Sequence, residues 1–211
     1  MRKELTAKGR ATRRRIVEGA AEVLRERGVG TVTLDDVMAR TGTSKSQLFH
    51  YFPAGKDQLL LAVAEFEAEQ VLEDQQPYLG RLESWADWER WRDVVVARYE
   101  EQGDTCPLGS LFLQVVRSTP GARAIVVGLL RQWQESLAAG IRAVRANTGP
   151  GADVDIDARA AALLAAIQGG VSILLSTGDS AHLRAALDQG IADLRRDLTP
   201  TGRGQAPTGR G

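Results

Sequence analysis

At 211 residues, with 43% apolar and 26% charged side chains, the chain is long enough for two units and too apolar for global disorder. Its 27 basic and 27 acidic residues cancel, yet residues 1–60 hold 12 Lys/Arg against 7 Asp/Glu, and all four lysines (Lys3, Lys8, Lys45, Lys56) fall there, a balance suited to a polyanionic partner. One cysteine, Cys106, and two distant histidines, His50 and His182, supply neither an intramolecular disulfide nor a metal-ligand cluster, and no apolar run of signal-peptide character follows the basic N-terminus. A reducing, cytoplasmic setting with no metal or cofactor is expected.

Apolar residues recur at three and four in segment after segment with almost no strand-like alternation, which predicts an all-α fold of about nine helices. The first, from about Thr12 to Arg27, gathers Ile16, Val17, Ala20, Val23 and Leu24 on one face, keeps an Arg-rich outer face and stops at Gly28. Thr33 followed by Asp36 has capping-box spacing and opens a short helix reaching about Thr41; Gly42 turns the chain. Ser44 and Gln47 repeat the spacing and open a second short helix, Lys45 to Tyr51, which Phe52-Pro53 ends. Further helices are expected at about Lys56 to Gln76, Ser84 to Gln102, Leu108 to Ser118, Ala122 to Asn147, Asp157 to Thr177 and Ser180 to Leu198, with Pro and Gly at the junctions. The division expected is a DNA-binding unit at 1–55, a second helical domain at 56–198 and a disordered tail at 199–211, where Pro-Thr-Gly-Arg-Gly occurs twice.

Residues 160–178 carry no charge over nearly the length of a membrane span. Alanine is scarcely hydrophobic, Gln168 and Ser172 are polar, and Gly169-Gly170 suit close helix approach, so a buried interface helix is expected and no membrane.

Two short helices joined at Gly42 and crossed by a preceding helix make a helix-turn-helix, the second helix being the reader. Leu34, Val37 and Met38 are expected to pack on Leu48, Phe49 and Phe52, leaving Lys45, Ser46, Gln47, His50 and Tyr51 outward. Gln47 and Lys45 match base edges in the major groove, while Thr33, Thr43, Ser44 and the amides near Gly55-Lys56 suit phosphates, with Lys56 adding a charge. Each of these residues has an ordinary structural role open to it as well, as a cap or a solvated side chain; it is their combination that points to DNA.

The stretch TLDDVMARTGTSKSQLFHYFPAGKDQLL resembles the DNA-binding segment of TetR-family regulators, in which a helix-turn-helix is followed by an aromatic pair, a proline turn and a lysine opening the fourth helix, here Tyr51-Phe52, Pro53 and Lys56. The resemblance covers about Thr12 to Ala64. It implies that Thr43 to Gln47 and His50 lie at or beside the groove, that Tyr51 and Lys56 hold phosphates and that Thr33 helps from the other side. Gly55-Lys56 stands where many members carry Ser-Lys, so a hydroxyl contact is absent there. Ligand binding, homodimerisation and repression are implied by the family alone.

In the second domain Trp85, Trp88, Trp91, Val95 and Tyr99 form an aromatic stripe at helical spacing. With Phe112 and Trp133 on other helices, and Gln168 or Gln134 as polar contacts, they could line a pocket for an apolar or aromatic effector; core packing explains the same stripe. Leu163, Ile167, Gly170, Leu174 and Leu183, Leu187, Gly190, Leu194 make a seam suited to homodimerisation through the last two helices, or to covering the domain's own core. Cys106 opens a helix but is more often inert in such a place. An enzyme is disfavoured, since there is no GxSxG elbow, phosphate loop or metal pair, and the small basic excess argues against non-specific DNA coating. The expectation is a ligand-responsive repressor of a palindromic double-stranded operator.

Overall fold

The computed structural model describes residues 5–103, 121–148 and 154–199. Within them lie eight α-helices: α1 (Ala7–Arg27), α2 (Leu34–Thr41), α3 (Lys45–Tyr51), α4 (Lys56–Glu73), α5 (Trp85–Gln102), α6 (Ala122–Thr148), α7 (Ile156–Thr177) and α8 (Ala181–Leu198), with a 3-10 turn at Leu79–Arg81 before α5. The all-α class holds. The helix expected at Leu108–Ser118, with Cys106 and Phe112, lies outside the described residues, as does the tail from residue 200.

Helix α1 starts five residues before the expected Thr12, because Thr6 caps it by accepting from the Gly9 amide at 3.1 Å. Apolar periodicity begins only at Ile16, so this polar opening turn leaves no hydrophobic trace. Two hydrophobic clusters hold the molecule. The first joins the inner faces of α1, α2 and α3 to Leu59, Leu60, Val63 and Ala64 of α4, and also takes in Ala122, the first residue of α6, which is fully buried. The second begins at Ala68 and Val71 further along α4 and fills the space between α5, α6, α7 and α8. Thus α4 belongs to both clusters.

Tight contacts hold α7 on α8. A side chain added at Gly170 would meet the Leu183 backbone, and one at Gly190 would meet Leu163. This corrects the reading of the dimer seam: Leu163, Ile167, Gly170 and Leu174 are buried against Leu183, Leu187, Ile191 and Leu194 of the same chain. Three-four spacing identifies a buried face but not the owner of the opposite face. Length and apolar composition would let α7 cross a membrane. Yet its large apolar residues other than the exposed Ile173 pack on the second cluster, and the rest of its outer face is mostly small residues.

Candidate nucleic-acid interface and effector core

Local capping chemistry builds the helix-turn-helix. The Thr33 hydroxyl accepts from the Asp36 amide at 3.2 Å, and Asp36 Oδ2 accepts from the Thr33 amide at 2.9 Å. Ser44 and Gln47 repeat the box at the start of α3, at 3.2 and 3.3 Å. The Thr33 donors, with Arg27 at 2.6 Å, hold the Asp36 carboxyl below its usual range. Between the boxes Gly42 takes φ +58°, the left-handed conformation the tight turn requires. Arg40 binds Glu26 at 2.5 Å and Glu22 at 3.2 Å, and Arg15 donates to the Thr41 carbonyl, so α2 is clamped along α1.

On α3, Leu48 is fully buried, as is Phe52 just beyond it, while Ser44, Lys45, Ser46, Gln47 and His50 are exposed on one continuous surface. Tyr51 is half-buried with its ring edge-on to His50 at 4.9 Å. Phe49, expected to pack inward, is 38% exposed beside the polar set. One residue on from Leu48, it is turned about 100° from that side chain around the helix and so off the buried Leu48–Phe52 line, and its ring suits a thymine methyl. Arg13, unassigned in the sequence reading, lies over the Phe52 ring at 5.3 Å, bringing a cation of the Arg13–Arg15 run beside α3.

Two expected contacts are placed otherwise. Thr43 is buried, its hydroxyl 2.8 Å from that of Thr41 and its amide donating to the Met38 carbonyl, so it serves the turn and not the surface. Lys56 Nζ reaches back to the Val32 and Val29 carbonyls at 2.5 and 3.2 Å, tying the α1–α2 connector to α4. Thr33 remains exposed, but its side chain is committed to the cap.

Where the two clusters meet, Glu67 of α4 is 1% exposed and ion-paired with Arg25 from the last turn of α1, while its second carboxylate oxygen has no hydrogen-bond partner. Burial pushes its carboxyl up to about 7 against the opposing pull of Arg25.

In the second cluster Trp88, Trp91 and Trp133 are fully buried, with Trp88 and Trp91 edge-to-face at 5.6 Å. Trp91 Nε1 donates to Gln75 Oε1 at 3.0 Å, and Gln75 Nε2 donates to the Val71 carbonyl at 2.8 Å. Trp85 is at the rim under the Arg195 guanidinium, and Gln134 reaches the Asp157 carbonyl at 3.4 Å. Gln168 is partly exposed, though its amide nitrogen is enclosed. The structure therefore brings Trp88, Trp91 and Trp133 into one core, with Phe112 outside the described residues.

Residues 16–63 match the family model described as bacterial regulatory proteins, tetR family, and residues 81–189, just over half of the chain, match that of the tetracyclin repressor-like C-terminal domain. An uncharacterised HTH-type transcriptional regulator of Mycobacterium tuberculosis strain H37Rv is 37% identical over 59 residues, 28% of this chain and 30% of the relative. The HTH-type transcriptional regulator TtgW of Pseudomonas putida is 32% identical over 85 residues, 40% of this chain and 63% of that one. The chain thus spans under two thirds of these relatives' lengths. Among solved structures, a TetR regulator from Chloroflexus aurantiacus superposes with TM-score 0.73 at 24% identity, covering 91% of this chain and 98% of the other. One from Mesorhizobium loti superposes with TM-score 0.75 at 15% identity, covering 90% and 98%. With two family models matched in order on an all-helical, helix-turn-helix-bearing fold, the chain belongs to the TetR family of regulators.

Proposed function

We propose that the protein is a cytoplasmic, homodimeric transcriptional repressor that binds a palindromic operator through α3 and releases it when a small molecule enters the C-terminal core. The observation carrying this reading is the exposed face of α3, where Lys45, Ser46, Gln47 and His50 stand together on a helix fixed by two capping boxes and the Gly42 turn. Gln47 uses Oε1 in its cap and keeps an amide NH2 group to present to a base edge; Lys45 suits guanine and Ser46 either strand's edges. Phosphate contacts fall to the first amides of α2 behind the Thr33 cap, to the Ser44 hydroxyl at the start of α3, to Tyr51 and to Arg13. Lys56 acts through the connector that it holds, and Thr43 through the turn.

The split of the clusters inside α4 supports placing the boundary between reading head and effector part there, later than the Gly55–Lys56 junction read from sequence. For the dimer, the outer face of α7 offers Ala158, Ala162, Ala165, Gly169, Ser172 and Ser176, exposed and uncharged at alternating spacings of four and three. Such a seam suits close packing against a second copy, which would place two α3 helices about 34–36 Å apart for successive major grooves.

Selection of bound fragments from random duplex DNA tests the reading. A two-fold symmetric consensus that loses one position of preference with Gln47→Ala is expected; recovery of unselected sequence would overturn it.

A further inference from the structure

Two of the three fully buried tryptophans differ from the third in a way that packing does not explain. The Trp91 indole is satisfied by a buried glutamine, Gln75, whose own amide is satisfied in turn. Trp88 Nε1 and Trp133 Nε1, equally enclosed, have no hydrogen-bond partner, and neither has Gln168 Nε2. All three orphans are donors. A buried donor without an acceptor carries its full desolvation cost, and native cores rarely keep several.

The described residues hold little to match them. Apart from the phenol of Tyr99, which has an interaction of its own, the buried polar side chains among them are Thr41, Thr43, Glu67 and Gln75. The threonines belong to the helix-turn-helix, Glu67 is held by Arg25 from α1, and Gln75 already serves Trp91. The donors come from three helices: Trp88 of α5 abuts Gly140 of α6, Trp133 lies two turns before that glycine on the same helix, and Gln168 is on α7 next to the buried Ile167.

We propose that this core takes an aromatic effector bearing oxygen acceptors, uncharged or anionic, with Trp88, Trp133 and Gln168 donating to it. The inference rests on the effector reading above and gives it a chemical class. Ring faces are supplied by the tryptophans, acceptors by the ligand, and a cation would find no described buried carboxylate free of an arginine in that core. Such a ligand exchanges one set of apolar contacts for another and adds hydrogen bonds that the unliganded core lacks, so it favours the arrangement of α5, α6 and α7 that admits it.

Four probes of like shape decide the matter by calorimetry on the full chain: 2-acetylnaphthalene, 2-naphthoate, 2-ethylnaphthalene and 2-naphthylmethylammonium. The ketone and the carboxylate are expected to bind at least about tenfold tighter than the hydrocarbon, and the ammonium weakest. Trp88→Phe or Trp133→Phe should erase most of the ketone's advantage over 2-ethylnaphthalene. If either variant melts too low to assay, 3-benzothienylalanine at the same position keeps the bicyclic shape, puts sulfur in place of the N–H donor and should do the same. Equal binding of ketone and hydrocarbon, a preference for the ammonium, or no binding of either acceptor probe up to millimolar concentration overturns the proposal. Operator selection on the same preparation separates the two claims. A chain that selects an operator and ignores the acceptor probes sinks this proposal alone, and one that binds the ketone but selects no DNA sinks the repressor reading.

Discussion

The reading head and the effector core are both helical and both buried, but they are held in different ways. In the head the decisive polar groups satisfy one another over three residues, as Thr33 does with Asp36 and Ser44 with Gln47, and cross-helix arginines close what remains. In the core the decisive contacts run between helices far apart in sequence, and several buried donors stay unmatched. A head specified locally keeps its shape while scanning DNA; a core with unmet donors is open to a second molecule that meets them.

The largest effect should come from adjacent glycines of α7. Gly170→Trp drives an indole into the Leu183 backbone and should cost about 3 kcal/mol or more, seen as a large drop in thermal midpoint. Gly169→Trp, with open space around it, should melt near the wild type yet sediment as a monomer and lose tight operator binding. Equal melting of the two variants would break the contrast between inner seam and outer face.

On the head, Gln47→Ala should relax preference at one operator position by about 1–3 kcal/mol. Lys56→Ala should instead weaken binding to all sequences and lower the melting midpoint, because the connector loses the ammonium that donates to the Val29 and Val32 carbonyls. Competition binding with single-base operator variants separates the two. Ser44→Ala removes a cap worth about 1 kcal/mol and should be partly rescued by Ser44→Asp, read by denaturant titration.

A smaller, pH-dependent effect is expected from Glu67. Its folded-state pKa, about 7, lies above the unfolded value, so the folded chain binds the proton more tightly. The resulting stability is fully present below the unfolded pKa near about 4.3 and is lost as pH rises through 7. Glu67→Gln should flatten that slope, so melting curves of variant and wild type must converge towards acid pH; parallel curves from pH 4.5 to 7.5 would count against the assignment.

The legible parts of the sequence were those whose partners are near in the chain. Both capping boxes, the Gly42 turn and the placement of Ser46, Gln47 and His50 outward follow from residues within one or two turns. Thr43 and Lys56 were illegible for the opposite reason: a hydroxyl facing Thr41 and an ammonium under the Val29–Val32 connector depend on how α1, α2 and α4 are docked. The tryptophan spacing announced burial of Trp88 and Trp91, but no spacing reveals that one indole finds Gln75 and the other finds nothing. Likewise the Leu163–Leu174 ridge announced a helix partner without saying that Leu183 and Leu187 of the same chain fill that place.

Helix α6 begins in one cluster and ends in the other: Ala122 is sealed among the head's side chains, Ile125 touches both clusters, and 27 residues span about 40 Å. The two parts are therefore not interchangeable modules. A chimera that grafts this head onto another regulator's effector domain, cut anywhere along α4, leaves a methyl-sized socket that the new domain must fill with its own small residue. Domain exchange between relatives should succeed only where the donor supplies an alanine or serine there, so the recombination junction is constrained at a position far along the chain from the cut, in a different helix.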